Sequence, residues 1–167
     1  TFPVNGKFTQ PQRAVYNIVL KSLETALSRF RPGVSIREVN DDVVRIMVTG
    51  LVELGIMQGE VDTLIAEDAH RKFFMHGLGH WLGLDVHDVG HYGTPSRDRI
   101  LEPGMVITVE PGLYIAPDAD VPVEYRGIGI RIEDDIVITE TGIENLTDSV
   151  VKDPDAIEAL MAAARAL

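Results

Sequence analysis

A run rich in glycine and histidine constrains the fold of this chain more than any other feature. Residues 75–88 read MHGLGHWLGLDVHD and hold three of the five histidines. Glycine permits backbone conformations and close approaches that other residues resist, and imidazoles bind metals and titrate near neutral pH. Because packing alone does not explain such a concentration, the run predicts a reactive site in an irregular or extended segment.

The spacing of two of these histidines also has a helical interpretation. His76 and His80 are four residues apart, as in the helical zinc motif His-Glu-x-x-His. Gly77 stands in the place of the glutamate, however, and Gly79 and Gly83 disfavour a helix. A strand with a bulge, which directs alternate side chains into a cleft, is the better prediction. The competing interpretation is that these histidines only satisfy buried backbone groups.

Two glutamates at the ends of apolar strands are candidate metal ligands. Glu110 ends the run MVITVE before Pro-Gly, and ionised carboxylates are rarely buried unless they are paired or bound to metal. Glu133 shares one strand face with Arg131, opposite the isoleucines. A solvated strand end and a surface Arg–Glu pair remain open as alternatives. One imidazole with two carboxylates suits Mn²⁺, Co²⁺ or Zn²⁺, and two ions about 3.5–4 Å apart can activate water for attack on a carbonyl.

Hydrophobic periodicity predicts helices before the histidine run and mainly strands after it. Two helices begin at capping-box pairs, Thr9 with Gln12 and Ser35 with Glu38. The predicted elements are helices near 9–30, 35–54 and 61–67, strands within 105–110, 127–139 and 144–146, and a last helix after residue 153. This order indicates an α+β fold whose helices cover one face of a curved sheet.

Composition limits the partners of this chain. A net charge of −11 without a basic stripe argues against nucleic acid, and no apolar run approaches the roughly 18 residues that span a bilayer. Cysteine is absent, which excludes disulfides and thiolate ligands and leaves His, Asp and Glu as candidate metal ligands. We therefore expect no nucleic acid and no membrane as partners, and a reducing, cytoplasmic compartment.

Four motifs in a fixed order resemble one enzyme family. They are HGLGHWLGLDVHD at 76–88, LEPGM at 101–105, VEPGLY at 109–114 and GIRIED at 129–134. The chain resembles Xaa-Pro aminopeptidase (aminopeptidase P) along its whole length. The resemblance implies the pita-bread fold, a curved antiparallel sheet with helices on its outer face. It also implies a homo-oligomer with two metal ions per site, usually Mn²⁺, acting on peptides with proline at the second position.

Three side chains resemble the metal ligands of that family. His80 and Glu110 resemble ligands of one ion, Glu133 resembles a carboxylate that bridges both ions, and Glu110 also resembles the proton shuttle. The family takes two further ligands from aspartates on a hairpin just upstream of the Thr-Phe-Pro-Val stretch with which this chain begins. Residues 1–167 therefore resemble the C-terminal part of a catalytic domain, N-terminally truncated. We expect this piece alone to bind at most one metal ion, weakly, and to be inactive.

Further residues resemble groups that surround the metals. His76 and His87 resemble catalytic histidines that contact the substrate and the developing tetrahedral intermediate, where hydrogen-bond donors lower the barrier. Arg131 resembles a partner that holds the carboxylates in register. The alternatives are prolidase, which cuts Xaa-Pro dipeptides, a non-catalytic peptide-binding module, and a metal-independent hydrolase such as creatinase. Retention of the three candidate ligands favours the metallopeptidase.

Overall fold

The predicted order of helices, then strands, then one helix is confirmed by a computed structural model that describes residues 1–94 and 96–165. Its helices are α1 (Gln10–Arg29), α2 (Ile36–Glu53), α3 (Val61–Ala66) and α4 (Pro154–Arg165). Its strands are β1 (Gly93–Thr94), β2 (Arg97–Asp98), β3 (Val106–Val109), β4 (Gly112–Tyr114), β5 (Gly129–Arg131), β6 (Asp134–Ile138) and β7 (Ile143–Asn145). Within the described ranges, no helix has the length and apolar character needed to cross a membrane.

The first two helices begin where their capping residues predict. Thr9 accepts the Gln12 N–H through its hydroxyl, and its own N–H donates to the Gln12 side chain, which completes the box. Ser35 accepts the Glu38 N–H at 3.1 Å. Since each cap satisfies a backbone donor that the helix leaves free, the boundaries follow from local sequence.

One hydrophobic core joins the helices to the strands. Its most deeply buried members are at most 1% exposed and include Val15, Val19, Leu23, Val43, Met47, Leu51, Ile107, Val109, Leu113 and Ile136. Full burial of each such side chain contributes about 1.5–3 kcal/mol. The helices therefore form a rigid support for the strands that carry the candidate site.

The strands form small antiparallel sheets, with β3-β6-β7 in one, β4-β5 in another and β1-β2 in a third. The predicted strand over 127–139 is interrupted at residues 132–133, because β5 pairs with β4 whereas β6 pairs with β3. The stretch that pairs with it, β3 followed by β4, is interrupted at the same level, at residues 110–111, where Pro111 has no N–H to donate. The break therefore places Glu110 and Glu133 opposite each other on neighbouring stretches of chain.

The first residue of the chain lies at this break. The Thr1 hydroxyl donates to the Arg131 carbonyl at 2.8 Å, and the Arg131 N–H donates back to that hydroxyl at 3.1 Å. The amino group of Thr1 also donates to the same carbonyl, and partial burial lowers the pKa of this amino group. Thr1 thus satisfies the backbone N–H and carbonyl of Arg131 at the end of β5.

The last helix is tied to the start of the chain through one carboxylate. Glu158 in α4 accepts the Phe8 N–H at 3.0 Å and pairs with Lys7 at 2.7 Å and Arg13 at 2.9 Å. The bond from Lys7 is the largest cause that lowers the pKa of Glu158, from 4.5 to about 2, followed by the Phe8 and Arg13 bonds.

We expect Glu158→Gln to reduce the loss of stability in acid. Because the pKa of Glu158 is lower in the folded chain, its contribution is present above pH 4.5 and disappears as the pH falls toward about 2. Urea unfolding from pH 7 to pH 2 should therefore show a shallower decline in the variant than in the original chain. Glu24→Gln, at an exposed position, should leave the decline unchanged, and an equal effect of both variants would contradict the assignment.

Candidate metal centre

The histidine run is an extended segment beside β3, and not the helix of a His-Glu-x-x-His motif. The Thr108 N–H donates to the His80 carbonyl at 3.0 Å, and the Glu110 N–H donates to the Leu78 carbonyl at 2.7 Å. The two backbones are so close that a Cβ on Gly79 would lie 1.9 Å from the Thr108 carbonyl oxygen. Glycine at position 79 therefore allows the approach that brings His80 to β3.

Two glycines of this run give a matched test of the close approach. We expect Gly79→Ala to lower the free energy of unfolding by about 1–3 kcal/mol, since the methyl group forces the backbones apart. A Cβ on Gly77 would meet no atom within 4 Å, so Gly77→Ala should leave the free energy nearly unchanged. Denaturant titration measures both, and a similar cost at the two positions would exclude the steric explanation.

His80 and Glu110 are brought into contact. The distance from His80 Nε2 to Glu110 Oε1 is 3.2 Å, and Glu110 is only 9% exposed. His80 Nδ1 lies 2.9 Å from the Trp81 carbonyl, which can only accept, so Nδ1 carries the proton of the neutral ring. Nε2 then presents a lone pair to a carboxylate oxygen, an arrangement that is repulsive unless a cation or a proton lies between them. This donor set fits a divalent metal ion.

Glu133 contributes charge to the same region from an exposed position. Partial loss of solvent around its carboxylate is the largest cause that raises its pKa, and the carboxylates of Glu110 and Asp135 raise it further. Arg131 and His80 lower it. Nevertheless, among residues 1–94 and 96–165 no group of three or more His, Asp or Glu side chains is arranged to hold a metal ion. The structure therefore brings His80 and Glu110 together and leaves Glu133 as their neighbour.

His76 and Arg131 meet at the hydroxyl of Tyr114. Arg131 Nε donates to this oxygen at 2.6 Å, and the hydroxyl lies 2.8 Å from His76 Nε2. Because His76 Nδ1 faces the Gly77 carbonyl at 2.8 Å, Nε2 is the acceptor of the tyrosine proton. Arg131 also lies 3.5 Å from Glu110. A chain of polar contacts therefore runs from Glu110 to His76.

Tyr114 is not among the site residues that the sequence predicted. Its spacing from Glu110 could have indicated it, since residues 110, 112 and 114 share one face of an extended chain. The contact with His76 spans 38 residues, however, and no local pattern predicts such a pairing.

His87 lies on an exposed loop beside His80, and the two ring centroids are 4.5 Å apart in an edge-to-face arrangement. Two hydrogen bonds that involve the backbone of Trp81 close the base of this loop. The Asp88 N–H donates to the Trp81 carbonyl at 3.1 Å, and the Trp81 N–H donates to the Tyr92 hydroxyl at 3.0 Å. The closed loop therefore holds His87 next to the candidate ligand His80.

A buried ion pair follows Glu133 directly in the chain. Asp134 is 1% exposed, lies 2.8 Å from Lys152 Nζ and accepts the hydroxyl proton of Thr147. Lys152 also donates to the Thr147 and Val150 carbonyls at 2.9 and 3.0 Å. The second oxygen of Asp134 is buried without a hydrogen-bond partner. This cluster fixes the start of β6, and with it the backbone next to Glu133.

Known proteins resemble this chain closely over its full length. Residues 1–140 match the model of metallopeptidase family M24. An Xaa-Pro aminopeptidase of Escherichia coli strain K12 is 76% identical over 165 residues, which are 99% of this chain and 37% of that relative. The chain therefore spans little more than a third of the length of such curated relatives.

Solved structures give the same result for the fold. A variant of Escherichia coli aminopeptidase P in complex with substrate superposes with a TM-score of 0.97 at 75% identity, covering 99% of this chain and 38% of that one. A zinc-substituted Escherichia coli aminopeptidase P in complex with product gives a TM-score of 0.95 at 76% identity, covering 98% and 37%. The predicted α+β pita-bread fold is confirmed by these superpositions.

Proposed function

We propose, from the premise that this chain belongs to metallopeptidase family M24, that residues 1–167 form the C-terminal part of the catalytic domain of an Xaa-Pro aminopeptidase. The contact between His80 and Glu110 is the single observation that carries the proposal, because it pairs an imidazole lone pair with a buried carboxylate. The family implies a divalent metal ion. The 76% identity to a relative named Xaa-Pro aminopeptidase supports the specificity.

His80, Glu110 and Glu133 are the residues that would hold the metal. We propose Mn²⁺ as the native ion, with Co²⁺ or Zn²⁺ as alternatives, since carboxylate and imidazole donors suit all three. A bound ion would polarise the substrate carbonyl and lower the pKa of water. The Trp81 carbonyl assists by keeping the proton on His80 Nδ1, so that Nε2 stays free to coordinate.

The side chains around the proposed metal ligands would contact the substrate and balance charge. His76 has both ring nitrogens engaged, so its ring would contact the substrate without donating a proton. The structure describes no hydrogen bond of His87, whose exposed ring can donate to negative charge on the substrate oxygen. Arg131, 3.5 Å from Glu110, would offset the charge of that carboxylate. Glu110 would accept the proton of the attacking water and later return it.

The partners follow from the same proposal. The substrates would be peptides with proline at the second position, and we propose a homo-oligomeric enzyme in the cytoplasm. The absence of cysteine agrees with a reducing compartment. A monomer in light scattering would contradict the oligomer.

A cleavage assay tests the proposal. An Xaa-Pro-Xaa tripeptide and an Xaa-Pro dipeptide are incubated with Mn²⁺ and either this chain or a version extended upstream. We expect the extended version to cleave the tripeptide, a chelator to abolish the cleavage, and the 167-residue chain to show little or none. Cleavage of the dipeptide alone would favour prolidase. Metal binding without any cleavage by the extended version would favour a peptide-binding module.

A further inference from the structure

We propose that Thr108 is a positioning residue of the candidate metal centre, whose hydroxyl fixes the orientation of the Glu110 carboxylate relative to His80. The inference rests on the metal-dependent function proposed above and extends it to a residue that is not itself a ligand.

Thr108 lies between the two residues that it serves. It is the third residue of β3, is 2% exposed, and shares a strand face with Glu110 two residues later. Its hydroxyl oxygen accepts the backbone N–H of His80 at 3.0 Å and lies 3.2 Å from Glu110 Oε1. One hydroxyl group therefore joins the backbone of one candidate ligand to the side chain of the other.

The direction of both hydrogen bonds is determined by chemistry. A backbone N–H can only donate, so the hydroxyl acts as the acceptor toward His80. Its single proton remains for Glu110 Oε1, which is also the oxygen that faces His80 Nε2 at 3.2 Å. The other oxygen, Oε2, lies 3.5 Å from Arg131. Because each oxygen has a different partner, the plane of the carboxylate is defined.

The contact from Thr108 is the best-sheltered of those that hold Glu110. Arg131 is 46% exposed at its side chain and approaches only to 3.5 Å, so water competes with it. Among the described residues, Thr108 supplies the only neutral hydrogen-bond donor to the Glu110 side chain. The close approach at Gly79 keeps the two segments together. A ligand held by a buried neighbour loses less freedom when it binds metal, and replacing such neighbours typically weakens metal binding about 10–100-fold.

Two variants separate the hydroxyl from the shape of the side chain. Thr108→Val keeps the shape and removes the hydroxyl, whereas Thr108→Ser keeps the hydroxyl. Binding of Mn²⁺ to this chain is measured from the electron paramagnetic resonance signal of the free ion, and thermal unfolding is followed in parallel. We expect Thr108→Val to weaken binding at least about tenfold while still unfolding cooperatively, and Thr108→Ser to remain within about twofold. Thr63→Val, at an exposed position in α3, is the control and should bind Mn²⁺ unchanged.

Every outcome decides the inference. Equal affinity of Thr108→Val and the original chain overturns it, as does an equal loss in the valine and serine variants. If the valine variant does not fold, Thr108→Ala is compared with Thr108→Ser by the same criterion. If the original chain does not bind Mn²⁺, the same variants are compared in the version extended upstream, and failure of that version to bind removes the proposed metal centre and this inference together. That result differs from equal affinities, which would leave the metal centre in place.

Discussion

Replacing Lys152 with methionine is expected to lower the free energy of unfolding by about 3–5 kcal/mol, because it leaves a buried charge without its partner. The affected charge is that of Asp134, which is 1% exposed and lies 2.8 Å from the ammonium group. The methionine side chain also withdraws the donors that satisfy the Thr147 and Val150 carbonyls. Urea unfolding at pH 7, followed by circular dichroism, gives the change.

The matched control is an ion pair at the surface with a similar distance between its charged nitrogen and oxygen atoms. Arg45 lies 2.7 Å from Asp62, and both side chains are more than half exposed. Arg45→Met should cost less than about 1 kcal/mol, because water solvates the remaining charge. Adding Asp134→Asn to Lys152→Met should restore part of the lost stability, since no buried charge remains. Equal costs for the two single variants would show that burial is not the cause.

Replacing Glu110 with glutamine is expected to weaken Mn²⁺ binding by more than about 100-fold, beyond the range typical of residues that only support ligands. The amide keeps the size of the side chain and removes the charge and one strongly basic oxygen at the site facing His80. In this chain, whose affinity should already be weak, the variant should show no binding. Titration with Mn²⁺ by calorimetry measures the loss.

Glu102→Gln controls for the loss of one acidic side chain. Glu102 is 59% exposed at its side chain and pairs with Arg99 at the surface. The variant should bind Mn²⁺ as the original chain does. If both glutamine variants bound equally well, the site would lie elsewhere and the contact between His80 and Glu110 would have no role in it.

The helices could be predicted from the sequence because their signals are local. The boxes at Thr9 and Ser35 and the apolar stripes that follow them act within a few residues, and each helix begins where they indicate. The interruption of the 127–139 strand could not be predicted in this way. The alternation continues through Ile132 and Glu133, and the interruption depends on how the neighbouring chain at Glu110 and Pro111 is paired.

The candidate site shows the same limit. The motifs indicate His80, Glu110 and Glu133 as candidate metal ligands. Residues whose role depends on contacts with distant parts of the chain could not be predicted. In the sequence, Thr108 is an ordinary residue of an apolar strand. Its hydroxyl forms hydrogen bonds with His80, 28 residues away, and with Glu110, 2 residues away. The pairing of Lys152 with Asp134 depends on how the loop after β7 folds back. Only tertiary structure creates these contacts.

The hydrogen bonds between Thr1 and Arg131 have a practical consequence for anyone who expresses this chain. A purification tag fused in front of Thr1 would emerge beside Arg131, two residues from Glu133. A polyhistidine tag there would place additional imidazoles near the Glu133 carboxylate. Metal bound by the tag would then be counted as metal bound by the candidate site. Titrations should therefore use protein from which the tag has been cleaved.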